Sequence, residues 1–532
     1  MGSEHAPIEK AILRPRKIKF LALDWDSVVK YFFGGNAWVA ILVLALITIF
    51  LFKEGIGFVA ENAQNLRTYR KAGLEYVDIL RKQADEFTDL NRNLNAIRLE
   101  QAKQLFAEDI PLEEVNAALA PFDKYLENYS AAGSPLFGLV SDLTDVASSA
   151  KERAQVAKDL EIAKKKLLAA GKKAEADAIE IPEVNFTDEI AILRSTVDAV
   201  YPDVVSEMRT NLEAAVVDPP SLPLEGSKGA LEMVVEDTRK FLEEMPQIRE
   251  RLAAWNPDKP VPLYVGLTSF LFGGRWLTAS YWQDFYGLIP LFMGSLLVSI
   301  VALIVAVPLG VAGAVYVNQV ASKKEQDFIK PSIEFIAAFP SVVLGFFGIV
   351  VLGETLRAIS GEPWLSWVPG FPMSERLNAT TAGLLLGLMA VPTIFSLSED
   401  AINNVPVHYK EASFALGASR LQTLLRIILP ASISGIIAAV LLGFGRVIGE
   451  TMVVLLCAGN RIAIPDFTEG LGAFFQPVHT MTGIIAQEMG EVEFGGIHYR
   501  ALFMVAMFLF ILALVINFFA QKIVAKFKIS VG

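Results

Sequence analysis

Arg446 and Glu450 are the residues whose types and positions most clearly suggest chemistry in this chain. They interrupt the apolar stretch GFGRVIGETMVVLLCAGN, and their spacing would place them on one face of a continuous helix. A charge in the middle of a membrane costs about 2.5 to 3.5 kcal/mol, so such side chains usually face a bundle interior or a watery path. The planar fork of an arginine can donate two parallel hydrogen bonds to a tetrahedral oxyanion. We therefore expect Arg446, Glu450 and the adjacent Thr451 to line a translocation pathway.

The same pair also has a purely structural interpretation. Arg446 and Glu450 could form an internal ion pair that fixes helix packing, because paired buried charges are also structural devices. In a pathway, this pairing could keep Arg446 from holding an anion too tightly, since a glutamate repels a dianion. The residue types alone leave both roles open.

A second group of residues lies in the polar segment before this stretch. Asn404 can cap a short helix with Pro406 in its first turn, and Gly417 can end that helix in a left-handed conformation. Another helix begins near Ser419 and should stop at Pro430, which forbids continuation. We call residues 404–430 the elbow, because the pattern predicts two short helices joined by a sharp turn. An amphipathic connector lying on the membrane would have a similar pattern.

The elements that position these residues are predicted to be membrane spans. The chain has 532 residues, a mean hydropathy of +0.43, 53% apolar residues and 20% charged residues, which indicates a protein that is part membrane and part water-exposed. Crossing the hydrocarbon takes about 20 apolar residues. Six stretches without Asp, Glu, Lys or Arg meet this length: 31–52, 285–322, 335–353, 377–398, 427–445 and 501–521. The fifth continues to Asn460, interrupted by Arg446 and Glu450.

Basic residues orient these spans. Arg14, Arg16 and Lys30 are among those that precede the first span, and cytoplasmic segments carry an excess of lysine and arginine. Residues 1–30 are therefore expected to be a cytoplasmic tail and 31–53 a retained first transmembrane helix. Six crossings return the C-terminus to the cytoplasm.

The long segment between the first two spans, residues 54–260, is called the insert. It contains 38 acidic and 25 basic residues, is rich in helix-forming residues and is expected to be an extracytoplasmic group of antiparallel helices. Its acidity argues against nucleic acid as a partner. Cys457 is the single cysteine of the chain and lies in a span, so no intrachain disulfide can hold the insert together. The four histidines show no metal-ligand spacing, so no metal site is expected.

The elbow resembles a known signature. Permease subunits of bacterial ATP-binding cassette importers carry Glu-Ala-Ala, three residues, Gly, nine residues, Ile, one residue and Leu-Pro, and Ser413 for the second alanine is the one departure here. The matching residues are Glu411, Ala412, Ser413, Gly417, Ile427, Leu429 and Pro430. The resemblance implies that this segment docks into a groove on a separate ATPase subunit.

Residues 333–460 resemble a narrower group. The stretches SIEFIAAFPSVVLGFFGIVVLG, MAVPTIFSLSEDAINNVP and GRVIGETMVV are similar to the PstC permease subunits of phosphate importers, rather than to the sister PstA subunits, which typically continue GET with Ala-Pro-Leu. This resemblance implies an all-α fold with about six transmembrane helices of the type I importer class in a bacterial inner membrane, with the insert as an addition. It divides the chain into the tail, the first helix, the insert and a permease domain over 261–532, with a coupling loop over 399–430.

The resemblance also implies the partners. They are a PstA-like second permease subunit, two PstB-like ATPase subunits that bind ATP and Mg, a PstS-like extracytoplasmic phosphate-binding protein, and phosphate itself. No GxxxxGK followed by Ser or Thr occurs in the chain, so we expect a non-catalytic subunit without a cofactor of its own. Two alternatives stay open: a permease for another oxyanion or small solute, and a membrane-anchored extracytoplasmic sensor or scaffold.

Overall fold

The computed structural model describes residues 25–107, 110–182, 184–278, 280, 283–365 and 367–527. Most of the expected cytoplasmic tail lies outside the described residues. Within them, the α-helices in chain order are α1 (Trp25–Lys71), α2 (Leu74–Ala107), α3 (Leu112–Ala131), α4 (Ser134–Ala169), α5 (Lys173–Asp177), α6 (Thr187–Val217), α7 (Lys228–Ala254), α8 (Leu263–Leu271), α9 (Ile289–Gln319), α10 (Lys323–Ile336), α11 (Ser341–Phe347), α12 (Gly353–Ser360), α13 (Ala379–Asn403), α14 (Val407–Ala415), α15 (Arg420–Thr423), α16 (Leu429–Ile448), α17 (Met452–Cys457), α18 (Met481–Glu488) and α19 (Ile497–Phe527).

The all-α membrane architecture is confirmed. Among the described residues, six helical segments are long and apolar enough to cross a membrane, and each overlaps one predicted span. They are Val29–Lys71, Ile289–Gln319, Ser341–Ser360, Ala379–Asn403, Arg420–Ile448 and Ile497–Ile523. The described strands are two short antiparallel ones, β1 (Trp276–Leu277) and β2 (Phe285–Tyr286).

The third span begins later than the charge-free stretch suggested. Pro340 has an extended backbone and takes the N-cap position of α11, so residues 335 and 336 belong to the separate helix α10 and 337–339 form a turn between the two helices. A π-helical turn at Gly348–Leu352 then joins α11 to α12. Pro392, by contrast, lies inside the continuous helix α13. The position of a proline in the sequence therefore did not decide which span is broken.

The first helix does not end at residue 53. α1 continues to Lys71 and stops before Gly73, whose φ of 83° is left-handed and favours glycine. This glycine separates α1 from α2, which begins at Leu74. The C-terminal part of α1 packs along α8 and α19, and Arg500 at the start of α19 donates a 2.5 Å hydrogen bond to Glu61 of α1.

The insert is a helical bundle with its own apolar core. Helices α2, α3, α4, α6 and α7 contribute Phe87, Leu94, Tyr129, Leu143, Met208 and Met245, all buried. Tyr129 stacks on Phe87 with ring centroids 5.4 Å apart, and its hydroxyl shares a 2.7 Å hydrogen bond with Thr238 of α7. Packing between helices therefore holds the insert together.

Trp276, just before the second span, lies inside the protein. It is 4% exposed because β1 and β2 fold it against Tyr286, and its indole N–H donates to Glu488 at 3.4 Å. Tyr281 and Trp282 lie outside the described residues.

Candidate functional site

The first arm of the elbow is helix α14. Pro406 precedes it with an extended backbone and takes the N-cap position, because a proline needs no hydrogen-bond partner for its nitrogen there. Asn404 does not cap this helix as expected. Its backbone N–H bonds to the Asp400 carbonyl, so it ends the preceding helix α13.

The turn of the elbow is built on Gly417. Its φ is 81°, and the Gly417 N–H donates to the Phe414 carbonyl at 2.9 Å while the Ala418 N–H donates to the Ser413 carbonyl at 3.1 Å. A Cβ added to Gly417 would meet no atom within 4 Å. The glycine is therefore required by backbone conformation rather than by space.

The second arm does not stop at Pro430, and here the sequence-based expectation is wrong. Ser419 caps α15 through a capping box with Gln422, and the chain continues through a π-helical turn at Leu424–Ile428 into α16. A proline normally clashes with the carbonyl four residues earlier. The wider π turn just before Pro430 accommodates the ring, so the elbow joins the fifth span without a break.

Ser413 and Thr423 fasten the two arms together. Their hydroxyl groups share a 2.8 Å hydrogen bond in a buried position, and Thr423 also donates to the Ser419 carbonyl at 3.1 Å. Ser413 is 4% exposed, whereas Glu411 and Ala412 on the same helix are exposed. Among the signature residues, Glu411 and Ala412 are therefore available to a partner, whereas Ser413 is buried and joins the two arms.

The tip of the elbow exposes a large apolar surface. Leu416 is 89% exposed, and the exposed apolar side chains around it are Val407, Phe414, Leu421 and Leu425. Behind them, Ile428 and the partly buried Leu429 pack against a cluster that includes Val317 and Phe395. Half-buried Ile427 precedes this pair, and Pro430 is exposed. The elbow therefore offers an apolar surface on one side and is anchored in the helix bundle on the other.

Arg446 lies two residues before the end of α16 and is exposed. Its Nη1 donates a 2.6 Å hydrogen bond to the Thr393 hydroxyl of α13. Within the described part of the chain, no carboxylate lies within the 4.0 Å of an ion pair with Arg446. Among the described residues its side chain bonds to the neutral Thr393 hydroxyl alone, and because Arg446 is exposed its other donors are accessible.

The expected sharing of a helix face by Arg446 and Glu450 is wrong. α16 ends at Ile448 and Gly449 caps it, so Glu450 and Thr451 lie in a break before α17. The Glu450 carboxylate accepts the Met452 N–H at 3.3 Å and thus serves the start of α17. The four-residue rule applies only where the helix is continuous.

Two further residues hold this region, and neither was assigned to the pathway from the sequence. Thr393 anchors Arg446, and Thr482 of α18 donates a 2.7 Å hydrogen bond to the Glu450 carbonyl. A threonine in an apolar stretch carries little signal by itself, because its hydroxyl can also bond within its own helix. Among the described residues no group of His, Cys, Asp and Glu could hold a metal ion.

Comparisons with known proteins agree with this architecture. Residues 306–529 match the family described as binding-protein-dependent transport system inner membrane component. The chain is 32% identical to the probable ABC transporter permease protein YqgH of Bacillus subtilis, over 47% of this chain and 78% of that protein. It is 30% identical to the phosphate transport system permease protein PstC of Haemophilus influenzae, over 49% of this chain and 84% of that protein.

A third relative matches a similar share of the chain. The probable phosphate transport system permease protein PstC of Methanocaldococcus jannaschii is 31% identical over 44% of this chain and 74% of its own length. A chain of the MetNI methionine ABC transporter aligns over 44% of this chain and 91% of its own at 18% identity, with a TM-score of 0.32 that is too low to place any residue. On the strength of its curated relatives, the chain belongs to the family of binding-protein-dependent transport system inner membrane components.

Proposed function

We propose that this chain is the transmembrane permease subunit of an ATP-driven phosphate importer. The observation that carries the proposal is the state of Arg446, a guanidinium among apolar helices whose recorded partner is the neutral Thr393 hydroxyl. Several relatives of this chain are themselves described as phosphate transport permeases, which supports phosphate as the anion.

Arg446 suits a transient oxyanion contact. An arginine carries five donors, and one bond to Thr393 leaves the others available for an anion. A carboxylate bonded directly to Arg446 would compete with that anion, but Glu450 serves the Met452 N–H instead. A single exposed guanidinium attracts phosphate without enclosing it, and weak binding allows the ion to leave again.

The elbow supports coupling to a separate ATPase. Its apolar tip and exposed Glu411 would dock into a groove on the partner, which binds ATP and Mg. Because the second arm continues into α16, a push on the tip would move the helix that carries Arg446. The force therefore has a direct mechanical route to the pathway.

The remaining partners follow from this assignment. A second permease subunit would complete the pathway, and an extracytoplasmic phosphate-binding protein would deliver the anion on the face that carries the insert. The termini would then lie in the cytoplasm of a bacterium, with the permease in its inner membrane.

The test is uptake of labelled phosphate by vesicles that contain all subunits. Arg446→Gln should abolish uptake with normal assembly, while Arg92→Gln at an exposed position of the insert should leave it unchanged. Unchanged uptake in Arg446→Gln would remove the role given to this residue. Uptake of sulfate and molybdate in the same assay decides between phosphate and another oxyanion. If ATP stimulates the uptake of none of these anions, the sensor or scaffold alternative would be favoured.

A further inference from the structure

The insert contains a hairpin that points back along α1 toward the membrane. Three positions along α4 are placed by their neighbours. Thr144 accepts a hydrogen bond from Arg81 of α2, Lys151 interacts electrostatically with Asp284, and Lys158 interacts electrostatically with Glu61 of α1. Asp284 itself accepts a hydrogen bond from Asn65 of α1 through its carbonyl. As α4 proceeds, its neighbours on α1 thus have lower residue numbers and lie nearer the membrane span.

The end of this hairpin is basic. We call residues 164–173 the basic tip; its lysines are Lys164, Lys165, Lys166, Lys172 and Lys173. A left-handed turn at Gly171 separates α4 from α5, and Lys164 donates to the Ile179 carbonyl at 3.3 Å, which closes the two sides of the tip. No acidic residue lies within the basic tip, whereas acidic residues outnumber basic ones in the rest of the insert, so the tip is a local concentration of positive charge.

Helix geometry gives the height of the basic tip. α4 rises about 1.5 Å per residue, so Lys165 lies about 10 Å beyond Lys158 along the helix axis. The same distance down α1 from Glu61 leads to Glu54, where the charge-free run that begins at Tyr31 has just ended. The basic tip therefore lies level with the boundary of the bilayer, where lipid headgroups are found.

Lys165, Lys172 and Lys173 are exposed at that level. The ion pairs of Lys165 and Lys172 within the described ranges are with exposed carboxylates three or four residues away, those of Glu161 and Glu175. Exposed pairs of this kind contribute little and exchange readily. Leu168 is 48% exposed between the lysines, and an apolar side chain flanked by lysines is typical of a segment that lies in the interface.

We infer that the basic tip binds the phosphate groups of anionic phospholipids in the leaflet that the insert faces. The contact would hold the end of the hairpin at the membrane surface and so fix the distance between the insert and the bilayer. Free phosphate offers the same chemistry, but it gives no reason for the tip to lie at membrane level or to expose Leu168. The inference does not depend on the proposed phosphate transport.

The test uses the full chain in vesicles and a probe at the tip. Leu168→Cys provides an attachment site for a fluorophore, because the native Cys457 is buried. A quencher carried on lipid headgroups should quench this probe about twofold or more strongly in vesicles with phosphatidylglycerol than in phosphatidylcholine alone, and added salt should reduce the difference. When Lys165, Lys166, Lys172 and Lys173 are all replaced by glutamine, the difference in quenching between the two kinds of vesicle should disappear.

A matched control and a competitor complete the experiment. Glutamine at Lys82, Arg92, Lys103 and Lys240, which are exposed basic residues elsewhere on the insert, should leave the quenching unchanged. Equal quenching in both kinds of vesicle, or the same loss in the control variant, would overturn the inference. Competition by millimolar inorganic phosphate at constant ionic strength would assign the tip to free phosphate and would overturn it as well.

Discussion

The hydroxyl groups of Ser413 and Thr423 share a buried 2.8 Å hydrogen bond that joins the two arms of the elbow. Ser413 stands where the importer signature has an alanine, so this chain has a polar contact between the two arms that an alanine could not make. The partners are not equivalent, because Thr423 also donates to the Ser419 carbonyl and Ser413 has no second recorded side-chain bond in the described structure.

Thr423→Val should therefore be more harmful than Ser413→Ala. Valine leaves the Ser413 hydroxyl buried without its partner, at a cost of about 1 to 3 kcal/mol, whereas alanine at 413 should cost about 0.5 to 1.5 kcal/mol. Hydrogen exchange of amides 407–423 in the full chain measures both. A double variant less damaged than the sum of the two would identify a direct coupling, and a reversed order of the single variants would contradict this account.

Gly417→Ala should weaken coupling although there is room for the added methyl group. A non-glycine residue at a φ of 81° costs about 1 to 2 kcal/mol, so the turn should open and the ratio of transport to ATP hydrolysis should fall in the assembled complex. Gly417→Asn should be milder because asparagine tolerates this conformation. Gly138→Ala, in an equally open site within α4, is the control, and equal effects at both glycines would argue against the turn.

Thr393→Val should lower phosphate uptake by about threefold to tenfold, as expected for the loss of roughly 1 kcal/mol from a partly exposed hydrogen bond to Arg446. Thr393→Ser keeps the hydroxyl and should restore uptake. The chain should reach the membrane in equal amounts in both variants. Equal uptake in the valine and serine variants would mean that Thr393 does not position the arginine.

The permease core should lose stability in mild acid because of His479. Burial lowers the pKa of His479, whose Nδ1 accepts the Thr480 N–H at 3.0 Å and whose Nε2 lies 3.1 Å from Gln487 Oε1. The unfolded chain takes up a proton below a pKa of about 6.5 while the folded chain does not, so stability falls as pH drops through that value. The fall should level off once the pH is below the lowered pKa of the folded state.

Thermal unfolding of the purified chain at pH 7.5 and 5.5 measures this effect. His479→Gln removes the titrating group, so its unfolding temperature should change less between the two pH values than that of the parent. An identical pH dependence would assign the loss of stability to other groups.

The sequence by itself determined the elements that depend on each residue and its neighbours. Charge-free stretches located the six spans because hydropathy is a local property, and Gly417 marked the turn of the elbow because a left-handed residue is nearly always a glycine. The signature around Glu411 identified the family before any contact was known.

Only the tertiary structure decided which side chains meet. Arg446 and Thr393 lie on different helices. Glu450 does not share a helix face with Arg446, because α16 ends at Ile448. Pro430 remained inside a continuous arm because a π turn absorbed its clash. These outcomes depend on how helices pack and where their hydrogen-bond ladders shift, and packing joins residues that the linear order keeps apart.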